Sequence, residues 1–225
     1  MLSCDIFQKR VQRFGFVNYM YLIVDRVTRE TAVVDPSWDY EGLIELVKQL
    51  KVKIDYILLT HSHIDHIYIV DQLVEQFKDV KVYISDAECQ YYDYAVANMI
   101  RLYDGDNIKV GITDVKCILT PGHTKGSMCY LLEDSIFTGD TLFIEGCGMC
   151  SSLGGDAQKM YDSIQKLKRV VALHVKVYAA HSYGKEPGCI MQDVMKQNIY
   201  LNINDVNQFI KFRNRKEQPK LYDFK

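Results

Sequence analysis

No stretch of this sequence approaches the roughly 20 consecutive apolar residues that cross a bilayer, and Met1 to Arg10 hold no apolar run of the secretory kind. A cytoplasmic protein without a membrane partner is the expectation. Charge of one sign is also scarce: 27 Lys plus Arg stand against 29 Asp plus Glu, a formal net charge of −2. Without a basic surplus the phosphate-neutralising component of nucleic-acid binding is missing, so nucleic acid is not an expected partner. The seven cysteines are an odd set with no framework spacing, which excludes a disulfide scaffold. Cys147 and Cys150 form a C-x-x-C that lacks the strand-to-helix entry of a redox pair, so reduced thiols are expected. A 225-residue chain that is 48% hydrophobic and 25% charged is not disordered, and it hides roughly 70–75% of its unfolded surface. Its core needs no metal, so a metal site here would serve chemistry.

The patterning alternates strands and helices. Residues 16–24 and 31–34 read as a hairpin closed by Asp35-Pro36, and the stripe Leu43, Ile44, Leu46, Val47 and Leu50 predicts a helix over 40–50. A buried strand follows over 54–59, then a helix over 67–77, a strand over 80–84, and a helix from Asp86 to about Ile100 opened by Ser85. The second half repeats the rhythm, with strands near 115–119, 128–132 and 135–137, a helix over 157–170 and a strand over 175–180. Helices are expected over 191–198 and 205–213, and the charged stretch 214–225 is expected to fray. The division is a domain over 1–190 and a helical tail over 191–225.

Chemistry concentrates in Thr60-His61-Ser62-His63-Ile64-Asp65-His66, between a strand and a helix. Three of the chain's six histidines lie in this heptapeptide, a density that a polar surface loop does not explain. In extended backbone His61 and His63 project to one side and can bind one ion, while Asp65 and His66 turn into the helix toward a second. Imidazole and carboxylate suit Zn²⁺ and Fe²⁺, and the shortage of thiolate argues against a purely structural zinc knot. His123, in the glycine-flanked loop Pro121 to Ser127, would join the first ion. Asp140 follows a strand and can bridge two cations; His181, also after a strand, completes the second set. His174 stands outside the pattern, between Leu173 and Val175.

The order H-x-H-x-D-H, then His, Asp and His, over Asp35 to His181, resembles the metallo-β-lactamase-fold superfamily. The resemblance implies an α/β fold, a four-layer αβ/βα sandwich with the metal site at the edge where strand ends meet. It implies that His61, His63 and His123 hold one metal, Asp65, His66 and His181 the other, and that Asp140 bridges them. Asp35 matches an acidic position that supports the histidine loop from behind; a turn residue ending a strand is its alternative reading. Gly139 to Phe143 with Gly146-Cys147-Gly148 is similar to glyoxalase II, the hydroxyacylglutathione hydrolases, which points to thioesters. There a basic residue commonly follows Gly-Cys-Gly and helps hold glutathione; here Met149 stands in that substrate-binding position, and the tail is short. In length and in the Gly-Cys-Gly-Met-Cys-Ser-Ser stretch, the chain looks most like the zinc-dependent hydrolases of bacterial polyketide biosynthesis.

The expected activity is hydrolysis of an acyl thioester by a hydroxide bridging two zinc ions, with iron or manganese as alternatives. The expected partner is an acyl carrier protein or a small thioester. A thiolate leaves without a dedicated acid, and Asp65 is the one motif residue assigned a catalytic proton. Hydroxyacylglutathione hydrolysis is the alternative, and an iron-dependent persulfide dioxygenase of the same fold is a further rival. Tyr91, Tyr92 and Tyr94 are candidates either for a substrate channel or for half-buried packing, and residues 211–216 either for a carrier contact or for a solvated tail.

Overall fold

Two six-stranded sheets face each other in the computed structural model, which describes residues 3–216, 218, 224 and 225. The first sheet runs in chain order through β1 (Cys4–Arg13), β2 (Phe16–Asp25), β3 (Thr31–Val34), β4 (Tyr56–Leu58), β5 (Lys81–Ser85) and β6 (Met99–Leu102). Its first three strands are antiparallel and the last four parallel. The helices α1 (Tyr40–Leu50), α2 (Ile64–Ile67), α3 (Val70–Gln76) and α4 (Asp86–Tyr92) lie in the connections between the parallel strands. The second sheet is built from β7 (Asn107–Val110), β8 (Thr113–Leu119), β9 (Met128–Leu131), β10 (Ser135–Gly139), β11 (Lys176–Ala179) and β12 (Cys189–Ile190). Helix α5 (Ala157–Val170) crosses from β10 to its parallel neighbour β11, and α6 (Met191–Gln197), α7 (Ile199–Asn202) and α8 (Val206–Arg213) follow β12.

The side-chain alternation of β2 shows how the layers arise. Tyr19, Tyr21 and Ile23 enter the core between the sheets with Tyr130 and Phe137, whereas Met20 and Leu22 face the helical layer with Leu43 and Leu73. Helix α1 starts where Asp39 accepts from Gly42 N, and it buries Leu43, Ile44 and Val47 on the first sheet. On the other side Asp156 caps α5, whose Met160, Ile164 and Leu167 pack on the second sheet with Phe209 of α8. Each such side chain contributes about 1.5–3 kcal/mol on burial, so these stripes hold the outer layers to the sheets. The fold is thus the expected αβ/βα sandwich. Among the described residues no helix is long and apolar enough to cross a membrane.

Some elements differ from the sequence expectations. The helix expected over 86–100 stops at Tyr92, where Asp93 turns left-handed with φ 52°, and the chain continues into β6 to extend the parallel sheet. The helix expected over 67–77 forms as two shorter pieces, α2 and α3. Strands β1 and β7 have no counterpart in the expectations. Of the stretch expected to fray, Phe224 packs against the core, and the exposed Lys225 donates its N–H to Ser182 O at 2.8 Å, while 217 and 219–223 lie outside the described residues.

Two backbone hydrogen bonds tie the sheets together at the edge where their strands end: Tyr19 N to Ala180 O at 2.8 Å, and Met128 N to Thr60 O at 2.9 Å.

Candidate metal centre

Every loop of interest leaves the C-terminal end of a strand at that tied edge. Asp35 follows β3, His61 and His63 follow β4, and His123 follows β8; Asp140 follows β10 and His181 follows β11. The short α2 carries Asp65 and His66. All seven donor residues anticipated from the sequence therefore come together, although they belong to loops of two different sheets.

Their nitrogens and oxygens form three groups, of which that of His61, His66 and Asp140 shares a residue with each of the other two. His61, His63 and His123 offer donor atoms within 4.8 Å of one another, and so do Asp65, His66 and His181. In the first group His63 Nδ1 lies 3.0 Å from His61 Nε2 and 2.9 Å from His123 Nε2. In the second, Asp65 Oδ2 lies 3.5 Å from His66 Nε2 and 3.3 Å from His181 Nε2. Asp140 spans them: Oδ2 is 3.3 Å from His123 Nε2, while Oδ1 is 3.5 Å from His66 Nε2 and 3.4 Å from His181 Nε2. Four ligands at about 2.1 Å from a tetrahedral zinc stand about 3.4 Å apart, so this spacing fits an ion in the first group and another in the second. His66 Nε2 and Asp140 Oδ1 are buried without a hydrogen-bond partner, as expected of atoms that a cation would satisfy.

The rings are held from behind. His66 Nδ1 meets Asp35 Oδ2 at 2.9 Å, His123 Nδ1 donates to Met149 O at 2.7 Å, and His181 Nδ1 donates to Val17 O at 2.7 Å. A proton fixed on Nδ1 leaves the Nε2 lone pair facing inward. Gly148 makes the His123 contact possible, because a Cβ there would lie 2.2 Å from Asp140 O and 2.9 Å from His123 Nδ1. Asp35 thus lies against His66 on the side away from the other donors, and its backbone is left-handed with φ 47°.

The electrostatics are those of a site built around positive charge. Burial pushes His123 down to about 4, and burial with the neighbouring imidazoles pushes His61 down. Burial opposes charge on His66 too, but Asp65, Asp140 and Asp35 outweigh it and raise that imidazole to about 10. Burial alone would push the Asp65 carboxyl up; His66, His181 and the Asn18 amide outweigh it and hold it well below the usual carboxylate range.

Sequence reasoning missed Asn18. Its amide donates to Asp65 Oδ2 at 2.9 Å and is itself fixed by Trp38 Nε1, which donates to Asn18 Oδ1 at 3.0 Å. The available signal was one asparagine inside the otherwise apolar run Phe16 to Val24. Also missed were Phe16, Phe143, Tyr183 and Phe224, which with Met149 line a cleft of about 180 Å³ that opens over the donors. Phe224 stacks on His181 with ring centroids 4.1 Å apart. No Lys or Arg is among the described lining residues. Tyr91, Tyr92 and Tyr94 are not part of the lining; Tyr92 instead donates to Leu153 O at 2.7 Å, and Tyr94 packs against the core beneath α3. Cys147 and Cys150 are buried free thiols, with burial pushing Cys147 up to about 12.

Comparison with known proteins agrees with this geometry. The Metallo-beta-lactamase superfamily profile matches residues 13–181, a longer span than the motif alone. The chain is 46% identical over 211 residues, 94% of its length and 93% of the relative's, to the "Probable polyketide biosynthesis zinc-dependent hydrolase PksB" of Bacillus subtilis. It is 44% identical over 221 residues to the corresponding BaeB of Bacillus velezensis, covering 98% of both chains. Among solved structures it is similar to ETHE1 from Myxococcus xanthus, with a TM-score of 0.83, 26% identity, and 96% and 95% of the two chains covered. By profile, by relatives and by the arrangement of its donors, the chain belongs to the metallo-beta-lactamase superfamily.

Proposed function

We propose that this chain is a zinc-dependent hydrolase of polyketide biosynthesis that cleaves acyl thioesters, its substrate an acyl group carried on an acyl carrier protein. The observation that carries the reading is the pairing of a seven-donor centre with a cleft wall of Phe16, Phe143, Met149, Tyr183 and Phe224 that has no cation among its described residues. In this reading His61, His63 and His123 hold one ion, Asp65, His66 and His181 the second, and Asp140 lies between them. The ions, when bound, supply Lewis acidity and ionise water at neutral pH.

The chain's own residues supply the rest. The aromatic wall binds an apolar acyl chain or the arm that carries it and keeps water from the thioester. Asp65, oriented by Asn18 and kept ionised, is placed to accept a hydrogen bond from the attacking water and aim it. The departing thiolate, whose conjugate acid has a pKa near ~8.5, needs no proton donor, which fits a centre that has none to spare. The close relatives named zinc-dependent hydrolases of polyketide biosynthesis support the same assignment. Glutathione carries two carboxylates, which a cleft with no Lys or Arg among its described lining residues holds poorly.

The test is thiol release by the zinc-loaded protein from acetyl-loaded acyl carrier protein and from lactoylglutathione at equal concentration. Faster release from the carrier protein is the expected result. Faster release from lactoylglutathione would replace this reading with that of a hydroxyacylglutathione hydrolase.

A further inference from the structure

Glu88, in the first turn of α4, is fully buried, lies outside the donor set, and forms no ion pair among the described residues. Its carboxylate is nonetheless saturated with hydrogen bonds. Oε1 accepts from Ser62 N at 2.9 Å and Ser62 Oγ at 2.7 Å; Oε2 accepts from Thr124 Oγ1 at 2.7 Å and Gly126 N at 3.0 Å. Ser62 stands between His61 and His63, and Thr124 follows His123. One side chain therefore joins the two loops, from different sheets, that carry all three imidazoles of the first group.

The contact is tight. Ser85, which caps α4 by accepting from Glu88 N, also donates to Gly126 O at 2.5 Å. A Cβ on Gly126 would lie 2.1 Å from Glu88 N, so the His123 loop is pressed onto the start of the helix. Every donor Glu88 meets is on a loop that carries the three histidines, and none belongs to Asp65, His66 or His181, although the Ser62 loop runs on into α2, where His66 N donates to His63 O at 2.9 Å. A structural carboxylate could serve anywhere in the interior; this one holds the residues adjoining all three histidines of the first group.

We infer that Glu88 is a positioning residue that sets the spacing of His61, His63 and His123 and thereby governs metal affinity at that group more than at the other. The inference rests on the reading that these histidines hold an ion. Outer partners of this kind typically change metal affinity by about 10–100-fold when lost. Glu88→Gln is the informative substitution because it keeps shape while removing the charge and turning one acceptor oxygen into an N–H donor. A hydroxyl of Ser62 or Thr124 can turn to face an amide, but the backbone N–H of Ser62 or of Gly126 cannot. Whichever way the amide sits, one buried N–H loses its acceptor and one loop is released.

The experiment is a cobalt(II) titration of the metal-stripped wild-type, Glu88→Gln and Thr124→Val chains. Equivalents and affinity are read from visible absorption, site occupancy from paramagnetically shifted imidazole N–H signals, and folding from the thermal midpoint before metal is added. The wild type should bind two equivalents. Glu88→Gln should bind the first at wild-type affinity, with the signals of His66 and His181, and the second about 10–100-fold more weakly. Thr124→Val, which removes one of the four bonds to Glu88 together with the contact of that hydroxyl with Ser127 Oγ, should show a smaller loss confined to the same group, and it decides the matter if Glu88→Gln does not fold. Two equivalents at wild-type affinity in the variants would overturn the inference, as would equal weakening of both groups together with a lowered metal-free midpoint. A wild type that takes no ion at the three histidines would instead overturn the underlying reading.

Discussion

Asp35 Oδ2 stands 2.9 Å from Nδ1 of His66, and the same carboxylate accepts from Thr60 N at 2.8 Å and Thr60 Oγ1 at 2.6 Å. One buried acid thus orients a donor imidazole and fixes the start of the loop that carries two more. Asn tolerates the left-handed backbone at this position, so Asp35→Asn isolates the side-chain effect. With its amide nitrogen facing His66, the imidazole must move its proton to Nε2 and lose the lone pair that faces the centre. Metal affinity at the Asp65, His66 and His181 group is expected to fall by about 10–100-fold in a zinc competition assay. Unchanged affinity would mean that the contact only fills space.

Asp140 touches both groups, with Oδ2 toward His123 and Oδ1 toward His66 and His181. Asp140→Asn keeps the shape and removes the charge between them. Metal content after dialysis and thiol-release turnover are both expected to fall, by about tenfold or more. Normal content with a normal rate would contradict a bridging role.

Met149 tests specificity in the opposite direction, because here a substitution should add activity. Met149 lines the cleft and its backbone carbonyl already receives the His123 proton, so Met149→Lys changes the wall without removing a donor contact. Hydrolysis of lactoylglutathione should rise severalfold through a lower KM. No change would remove the cation-poor wall as the reason for excluding glutathione.

The donor set was legible because its chemistry is carried by residue identity and order: an H-x-H-x-D-H loop and later His, Asp and His, each after a strand. Strands with an apolar pattern and helices with a clear stripe, such as α1 and α5, were legible for the same reason. What was not legible depends on contacts between distant segments. Strand β1 is half-exposed and polar, and its turn to β2 places Phe14 and Gly15 at φ 53° and 83°, a two-residue hairpin geometry usually signalled by Asn-Gly rather than Phe-Gly. The helix after Ser85 ended early because β6 was needed to extend the sheet, a tertiary demand that overrides local propensity. Asn18, Glu88 and Phe224 act on the centre from 47, 26 and 43 residues away from Asp65, Ser62 and His181, separations at which no periodicity speaks.

Acid stability offers a test away from the centre. Asp25 is fully buried, accepts from Val27 N and Thr28 N at the end of β2, and reaches Thr113 N and Oγ1 in the other sheet. Burial alone would push its carboxyl up, but these bonds outweigh it and hold it at about 2, below its ordinary 3.8. A depressed carboxyl stabilises the fold above the unfolded value and loses that contribution as pH falls from about 4 to about 2. The denaturation midpoint of the metal-stripped chain should drop across that window, and Asp25→Asn should start lower and lose the step. Parallel acid limbs in both proteins would show that Asp25 does not contribute.

The central claim is that two ions in one centre hydrolyse an acyl thioester. Its most direct measurement is a zinc titration of the metal-stripped chain, followed by the rate of thiol release from acetyl-loaded acyl carrier protein. The account predicts a rate that rises through the second equivalent and levels at two zinc ions per chain. A plateau at one equivalent, or no thiol release above the protein-free control at two, would contradict it.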